Sequence, residues 1–417
     1  GIKELDEVVG WPDTGASLVF KDRIATHTSR VIEKVVGEGG AVPVGLTTAS
    51  EFGGLNVSVT KLNGVTHNPW RHGRTVGGSS GGSAAAVSGG LVTLCSAADG
   101  GGSIRIPAGY TGLVGMKGTY GRIPRGPSAY SRPNTEVYGC LARSVRDTAR
   151  HWDVCAGFDI NDPWSLPSPG GWESGLGTHD LAGKRVAVLP SLGGVHLDHG
   201  VEEHLRAAAH DLIVSCGMVP VDIDVDLPNL TIEWMMGNVS PLLAELGDLW
   251  PDCAGDLTEA IEDGLRLSQT FYNLRTAATA EKKRLELTAH MAELFHQVDF
   301  VMAATNPGPA FDAESVMSSS APPVVDKVMT SKAGRTGLSA ALATLRVATG
   351  VAPRPPGALF APAQKRLGRT STPTRRCRPP PAWSTGCPWA SRCWPATTRT
   401  TCCSTWPWPP SARSAGP

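Results

Sequence analysis

Two glycine-rich loops, each carrying a serine, hold the residues of this sequence that could do chemistry. Ser79 lies in the first loop, residues 77–83, and Ser103 ends the glycine run of the second. Glycine lets backbone N–H groups approach a ligand without a Cβ atom in the way, and consecutive N–H groups in such a turn can bind an oxyanion. The sequence therefore predicts an oxyanion hole directly before a hydroxyl nucleophile, formed by Gly100, Gly101 and Gly102.

A serine needs a base to become nucleophilic at neutral pH. Neither loop contains a histidine, so the base must come from elsewhere in the chain. Ser79 and Ser80 each fall within a G-x-S-x-G match, the nucleophile-elbow pattern of α/β-hydrolases. We disfavour that alternative because no predicted strand leads into the loop and no later His–Asp pair stands out.

Alternating helices and short apolar strands predict an α/β protein around these loops. An amphipathic helix followed by a strand at 41–44 is expected over residues 26–45, and helices are expected over 143–156, 201–216 and 230–297. Gly217 is the expected C-cap of the 201–216 helix. The expected strands are 184–189, 219–225 and 299–304.

Residues 77–83 and 99–108 resemble the two halves of the amidase signature. The resemblance continues through 112–117 and 119–122, includes 1–4, 51–53 and 68–70, and extends to about residue 310. It implies a single α/β domain whose mixed, mostly parallel central sheet is covered by helices. Val76, Thr111 and Gly118 depart from the usual residues, but none of them belongs to the implied catalytic set.

The resemblance implies a Ser-cisSer-Lys triad. Ser103 would attack an amide carbonyl, Ser79 after a cis peptide bond would relay the proton, and Lys3 would be the base. A lysine must be neutral to act as a base, and burial can lower its pKa by several units. The implied supporting residues are Ser80, Asp99 and Arg105. No metal and no organic cofactor is expected.

The implied activity is hydrolysis of linear carboxylic amides through a serine acyl-enzyme. One alternative is an amidotransferase subunit that releases ammonia from glutamine, although residues 126–130, directly after Arg125, do not resemble that branch. The other is a catalytically dead product, because the chain opens at Gly1 without an initiator methionine and is expected to be truncated at its start. The implied partners are a small-molecule amide and a second copy of the chain in a homodimer.

Composition excludes several other classes of function. Lys plus Arg and Asp plus Glu balance at 38 each, so no overall field favours nucleic acid or an anionic membrane. No apolar run reaches the roughly 20 residues needed to span a bilayer. Cysteines occur singly before residue 370, which predicts thiols in a reducing, cytoplasmic setting. His196, Asp198, His199 and His204 could form a metal site, but their spacing favours the start of a surface helix.

Residues 369–417 differ in kind from the predicted domain at 1–368. From Ser371 onward the chain contains no Leu, Ile, Val, Met or Phe, and five of its twelve tryptophans lie there. Such a segment cannot build a packed core. We expect an out-of-frame translation, because GC-rich codons chosen for residues 386–409 and read from the third base encode an apolar strand followed by an amphipathic helix. A disordered tail and an Arg/Trp arm for single-stranded nucleic acid are the alternatives.

Overall fold

The computed structural model describes residues 1–127, 135–192, 196–228 and 230–315, in a mixed α/β arrangement. Within these residues the helices are α1 Arg30–Glu33, α2 Gly81–Ser88, α3 Arg105–Thr111, α4 Val145–Cys155, α5 His199–Cys216, α6 Thr231–Leu246, α7 Glu259–Phe271 and α8 Leu274–Gln297. The strands are β1 Ile2–Lys3, β2 Leu46–Thr47, β3 Val59–Thr60, β4 Gly64–Val65, β5 His67–Asn68, β6 Arg71–Thr75, β7 Leu94–Asp99, β8 Val114–Gly115, β9 Val137–Ala142, β10 Arg185–Val188, β11 Val219–Pro220 and β12 Phe300–Met302.

The sheet that positions the two serine loops combines parallel and antiparallel pairs. β1 pairs parallel with β2, whereas β9 lies antiparallel between β7 and β8. The Gly1 nitrogen donates to the Leu94 carbonyl over 2.8 Å, and the Ser96 nitrogen donates to the Gly1 carbonyl over 3.0 Å. These two bonds set β1 alongside β7. Helices α2 and α3 cover this sheet through a buried cluster that includes Val76, Ala84, Val87, Cys95, Ala97, Ile104, Ala108 and Leu141.

A second, three-stranded parallel sheet has the order β11-β10-β12. Successive side chains of a strand point to opposite faces, so Val186 and Ala187 of β10 pack on different helices. Val186 contacts a cluster with Ala209 of α5, and Ala187 one with Leu294 of α8. Helices α6 and α7 pack together in a separate apolar cluster, which also holds Phe52 from the turn that follows β2.

The expected α/β class is confirmed, and the helix expected at 201–216 is present as α5. It ends at Gly217 with a left-handed φ of 62°, and Asp198 caps its start by accepting from the Gly200 nitrogen. The helix start expected at His196, Asp198, His199 and His204 is therefore present, with Asp198 as its N-cap. Three helices, α6 to α8, occupy most of the range 230–297 as expected.

Of the predicted strands, one is absent and another is shorter than expected. Residues 41–44 form no strand, and Val42 there is 83% exposed, because Pro43 lacks an N–H for ladder pairing and no described strand lies beside this segment. The pairing strand begins at Leu46 instead. The strand expected over 219–225 is only Val219–Pro220, although the Val221 nitrogen still donates to the Val186 carbonyl over 2.8 Å.

The segment 369–417 lies outside the described residues. Among the residues that are described, no helix combines the length and apolar character needed to cross a membrane.

Candidate functional site

Lys3 lies on β1 in the middle of the mixed sheet. It is 1% exposed, because β2 and β7 flank its strand on both sides. Its Nζ atom donates a hydrogen bond to the Ser79 Oγ over 2.7 Å. Its backbone nitrogen donates to the Ser96 Oγ of β7 over 2.9 Å. The sheet thus holds the amine-bearing side chain against the first serine loop, out of contact with bulk water.

Ser79 belongs to a tight turn that leads into α2. The Gly78–Ser79 peptide bond is cis, as the resemblance implied. A Cβ atom on Gly78 would lie 2.6 Å from the Val57 nitrogen, so only glycine fits there. The Ser50 nitrogen donates to the Ser79 carbonyl over 3.2 Å. These contacts fix the direction of the Ser79 side chain toward Lys3.

Ser103 lies in the short turn between β7 and α3. The Ser80 nitrogen donates to the Ser103 carbonyl over 3.3 Å, and the Ser80 Oγ donates to the Ala98 carbonyl over 3.4 Å. Ser80 therefore joins the two serine loops. Ser79 and Ser103 are 3% and 6% exposed, so both hydroxyls lie in a nearly closed site.

Asp99 organises the second loop from within. Its carboxylate, which is fully buried, accepts hydrogen bonds from the backbone nitrogens of Gly102 and Ile104 and from the Arg105 guanidinium. Burial alone would raise the pKa of Asp99, but the hydrogen bonds and charge of Arg105, with the charge of Lys117, hold that pKa well below its usual range. A permanently ionised Asp99 keeps the turn before Ser103 in one shape.

The three glycines expected to form the oxyanion hole are not equivalent. The Gly102 N–H donates to Asp99 over 2.8 Å, and its φ of 121° suits glycine alone. Gly100 and Gly101 precede it in the same turn, next to the Ser103 hydroxyl in sequence. Because Gly102 is engaged by Asp99, the N–H groups of Gly100 and Gly101 are the stronger candidates for binding an oxyanion.

Asp6 is a component of the site that the sequence analysis missed. Its nitrogen donates to the Lys3 carbonyl over 2.8 Å, and its Oδ2 accepts from the Ser96 Oγ over 2.5 Å. Burial raises the pKa of Asp6 to about 7, although the Ser96 hydrogen bond and the charge of Lys3 both act to lower it. Asp6 lies three residues after Lys3 in an acidic stretch, which could have indicated a buried partner of the lysine. An exposed turn, however, would have the same pattern.

Lys117 ends the stretch 112–117 that resembles the amidase signature, but the resemblance implied no role for it. Its Nζ donates to the carbonyls of Asp99 and Thr135, over 2.6 Å in each case. Burial lowers the pKa of Lys117, against the opposing charge of Asp99. Lys117 thus ties the end of β7 to the segment that precedes β9.

His196, Asp198, His199 and His204, considered above for metal binding, lie at the start of α5. His199 lies beside Glu203 of the same helix, and the His204 ring contacts the Gly200 carbonyl. Among the described residues, no group of three or more His, Cys, Asp or Glu is arranged to hold a metal ion.

Known proteins similar to this chain indicate its family. The sequence profile of the family described as Amidase matches residues 1–344. The chain is 38% identical over 210 residues to a glutamyl-tRNA(Gln) amidotransferase subunit of Methanosarcina acetivorans, a match that covers 50% of this chain and 44% of that protein. It is 40% identical over 197 residues to an acylamidase of Rhodococcus erythropolis, covering 47% and 41%.

These matches span less than half the length of either relative. The fold is similar to the crystal structure of a bacterial aryl acylamidase of the amidase signature family, with a TM-score of 0.71 at 24% identity over 77% of this chain and 68% of that chain. The profile match extends over most of the sequence and includes both serine loops and Lys3. The chain therefore belongs to the amidase signature family.

Proposed function

We propose that this chain is an amidohydrolase that cleaves the C–N bond of a linear carboxylic amide. The observation that carries the proposal is the 2.7 Å contact between the buried Lys3 Nζ and the Ser79 Oγ. A buried amine held against a hydroxyl, next to a second serine that follows a glycine turn, has the parts required for nucleophilic catalysis without histidine. Ser103 is the nucleophile, Ser79 the relay and Lys3 the base.

The reaction would proceed in two halves. Ser103 Oγ attacks the amide carbonyl carbon while its proton passes to Ser79, whose own proton passes to a neutral Lys3. The C–N bond then breaks, and the proton returns through Ser79 to the leaving nitrogen. Water attacks the acyl-enzyme by the same route and releases the acid and Ser103. The products are a carboxylic acid and ammonia or an amine.

The glycine turn would stabilise the negative oxygen that develops during attack. Donors directed at such an oxygen are worth about 10²–10³-fold in kcat when one is removed. The proposed donors are Gly100, Gly101 and the backbone nitrogen of Ser103, with Gly102 held by Asp99. Ser80, Asp99 and Arg105 position the turn through the hydrogen bonds described above. These residues touch no reacting atom and act by holding the loop.

A serine-directed fluorophosphonate probe tests the proposal. The purified chain is incubated with the probe, and the labelled residue is identified by peptide mass spectrometry. We expect a single adduct on Ser103 and none in Ser103→Ala. Replacing the base in Lys3→Met should slow labelling on the order of 10²–10⁴-fold, the usual contribution of a general base.

The exposed Ser174 offers a matched control, since its hydroxyl donates to the nearby Gly171 carbonyl, away from the two serine loops. Ser174→Ala should label at the rate of the unaltered chain. Equal labelling of Ser103→Ala would contradict the assignment of the nucleophile. No labelling of a folded chain would favour the catalytically dead alternative.

The second candidate is release of ammonia from glutamine for transfer to a partner protein. It is favoured by the similarity to the Methanosarcina amidotransferase. Ammonia assays with glutamine and with simple acyl amides separate the two functions, since an amidotransferase component should prefer glutamine. We place the simple amide first because of the similarity to the Rhodococcus acylamidase.

The setting proposed for this activity is a reducing, cytoplasmic one, with a homodimer as the assembly. The reducing setting is supported by five cysteines that occur as free thiols among the described residues, of which Cys95, Cys140 and Cys155 are buried. Burial raises the pKa of Cys155 to about 12, so this thiol is inert.

A further inference from the structure

We propose that Trp234 forms one wall of the substrate pocket and selects amides with a flat apolar group, such as an aryl group, beside the scissile bond. The proposal rests on the function proposed above, because it assigns a substrate class to the same site. It comes from the contact between α6 and the glycine turn that precedes Ser103.

The indole ring of Trp234 lies directly against Gly101. A Cβ atom on Gly101 would overlap the six-membered ring and would lie 3.1 Å from Cε2 of the indole. One turn later, the Asn238 Oδ1 lies 3.9 Å from the position of a Cβ on Gly100. Residues four apart share one face of a helix. The face of α6 that carries Trp234 and Asn238 is therefore turned toward the proposed oxyanion donors.

Farther along the same helix, α6 packs into the protein core. Val239, Leu242 and Leu246 are buried in the apolar cluster shared with α7. Trp234, by contrast, is half-buried and lies outside that cluster. Large aromatic side chains contribute strongly to a core when they are enclosed. A partly exposed indole outside this cluster, in contact with the turn that precedes Ser103, is placed to contact a ligand.

The position of Trp234 is fixed by its neighbours. The Asn238 Nδ2 donates to the Trp234 carbonyl over 2.7 Å. The adjacent Glu233 forms an ion pair with Lys283, which links α6 to α8. These contacts hold α6 and the indole in place, which favours a pocket wall of constant shape.

The chemistry of the occupant follows from the geometry. An amide whose carbonyl oxygen lies at the Gly100 and Gly101 nitrogens must place one of its substituents near the ring that touches Gly101. An indole offers an apolar surface that prefers stacked or edge-on contact with other flat rings. A charged or strongly hydrated substituent would lose water there without gaining a partner. The wall therefore favours aryl or arylmethyl substituents.

The test compares two sulfonyl fluorides, phenylmethanesulfonyl fluoride and methanesulfonyl fluoride. Both sulfonylate serine, and they differ in the phenyl group. The rate of Ser103 labelling is measured with each probe by mass spectrometry. We expect the unaltered chain to favour the phenyl probe, and Trp234→Ala to lose about tenfold of that preference while its methanesulfonyl rate is retained. Trp234→Phe, which keeps a flat ring, should retain the preference.

A matched control is Trp164→Ala, which removes an indole that is 56% exposed outside the glycine turn. It should leave the ratio of the two rates unchanged. An unchanged ratio in Trp234→Ala, at an unfolding temperature close to that of the unaltered chain, overturns the selectivity proposal and leaves the amidohydrolase proposal standing. A general slowing with both probes also overturns it. Absence of Ser103 labelling by either probe refutes the proposed function itself.

Discussion

Lys3 and Asp6 are both buried, and the Ser96 hydroxyl forms a hydrogen bond with each of them. Ser96 accepts from the Lys3 nitrogen and donates to the Asp6 carboxyl, so it connects the two. Among the described residues, the Asp6 Oδ1 atom has no hydrogen-bond partner. A buried carboxylate with one unsatisfied oxygen is costly when it is charged. Asp6 is therefore the residue of this site whose ionisation should affect folding most.

The pH dependence of stability should reveal Asp6. Burial raises the pKa of Asp6 to about 7 in the fold, above its usual value of about 3.9 in an unfolded chain. The folded state therefore binds this proton more tightly. Its contribution to stability is complete below about pH 4 and is lost as the pH rises through 7.

Asp6→Asn cannot ionise, so its free energy of unfolding should fall less between pH 5.5 and 8.5 than that of the unaltered chain, by on the order of 1–3 kcal/mol. Urea unfolding at the two pH values measures this difference. Replacing the exposed Asp211 by Asn is the matched control and should leave the pH dependence as it was. Parallel curves for Asp6→Asn and the unaltered chain would refute the raised pKa.

At the scale of elements, the site depends on α2 approaching β2 very closely. Gly82 lies in the first turn of α2, where a Cβ atom would lie 2.5 Å from the Thr48 carbonyl oxygen and would also overlap the Thr48 nitrogen and side chain. Backbone atoms cannot move aside as a flexible side chain can. Glycine at 82 thus sets the distance between the helix after Ser79 and the strand beside Lys3.

Gly82→Ala should consequently destabilise the chain, by about 2–4 kcal/mol, although alanine is the better helix former. It should also slow Ser103 labelling, since the shift of α2 moves Ser79 away from Lys3. Thermal unfolding and probe kinetics measure the two effects. Gly37→Ala is the control, because nothing lies within 4 Å of a Cβ there. If Gly82→Ala and Gly37→Ala unfold at the same temperature, α2 can move away from Thr48 without loss of stability, and the prediction is wrong.

At the scale of the whole molecule, the three-stranded parallel sheet lies near the end of the described residues, and the chain then returns to β6, where the Thr75 nitrogen donates to the Phe311 carbonyl over 2.8 Å. β12, Phe300–Met302, pairs with β10 and completes the sheet held between α5 and α8. The proposed domain extends to residue 368, and we propose that residues 369–417 add nothing to its core. Their lack of aliphatic side chains leaves too little apolar surface to bury.

A chain that stops after residue 368 should therefore unfold at the same temperature as the full chain and label Ser103 at the same rate. A chain that stops after Gln297 serves as the contrast. It lacks β12, exposes one edge of β10 and should fail to unfold cooperatively. Differential scanning calorimetry of both truncations measures this, and a clear loss of stability on removing 369–417 would contradict the proposed boundary. Sequencing the DNA around codons 366–372 tests the frameshift independently.

The sequence by itself determined the family, the α/β class and the identity of Lys3, Ser79 and Ser103 as the residues to examine. Glycine loops that bear serine carry this information locally, because their φ angles and close approaches admit few other residues. The 18-residue helix α5 was also predictable, since its apolar period, Asp198 cap and Gly217 stop are all local signals.

Only the tertiary structure decided which groups surround those residues. Asp6, Ser96 and Lys117 are ordinary polar residues in sequence, and they join the site because β1 lies against β7 and because β9 follows the turn beside Asp99. The strand expected at 41–44 is absent and the one expected over 219–225 is shorter, because pairing depends on a neighbouring strand and not on local apolar character. Trp234 lies more than a hundred residues from Gly101, and their contact is a product of chain folding alone.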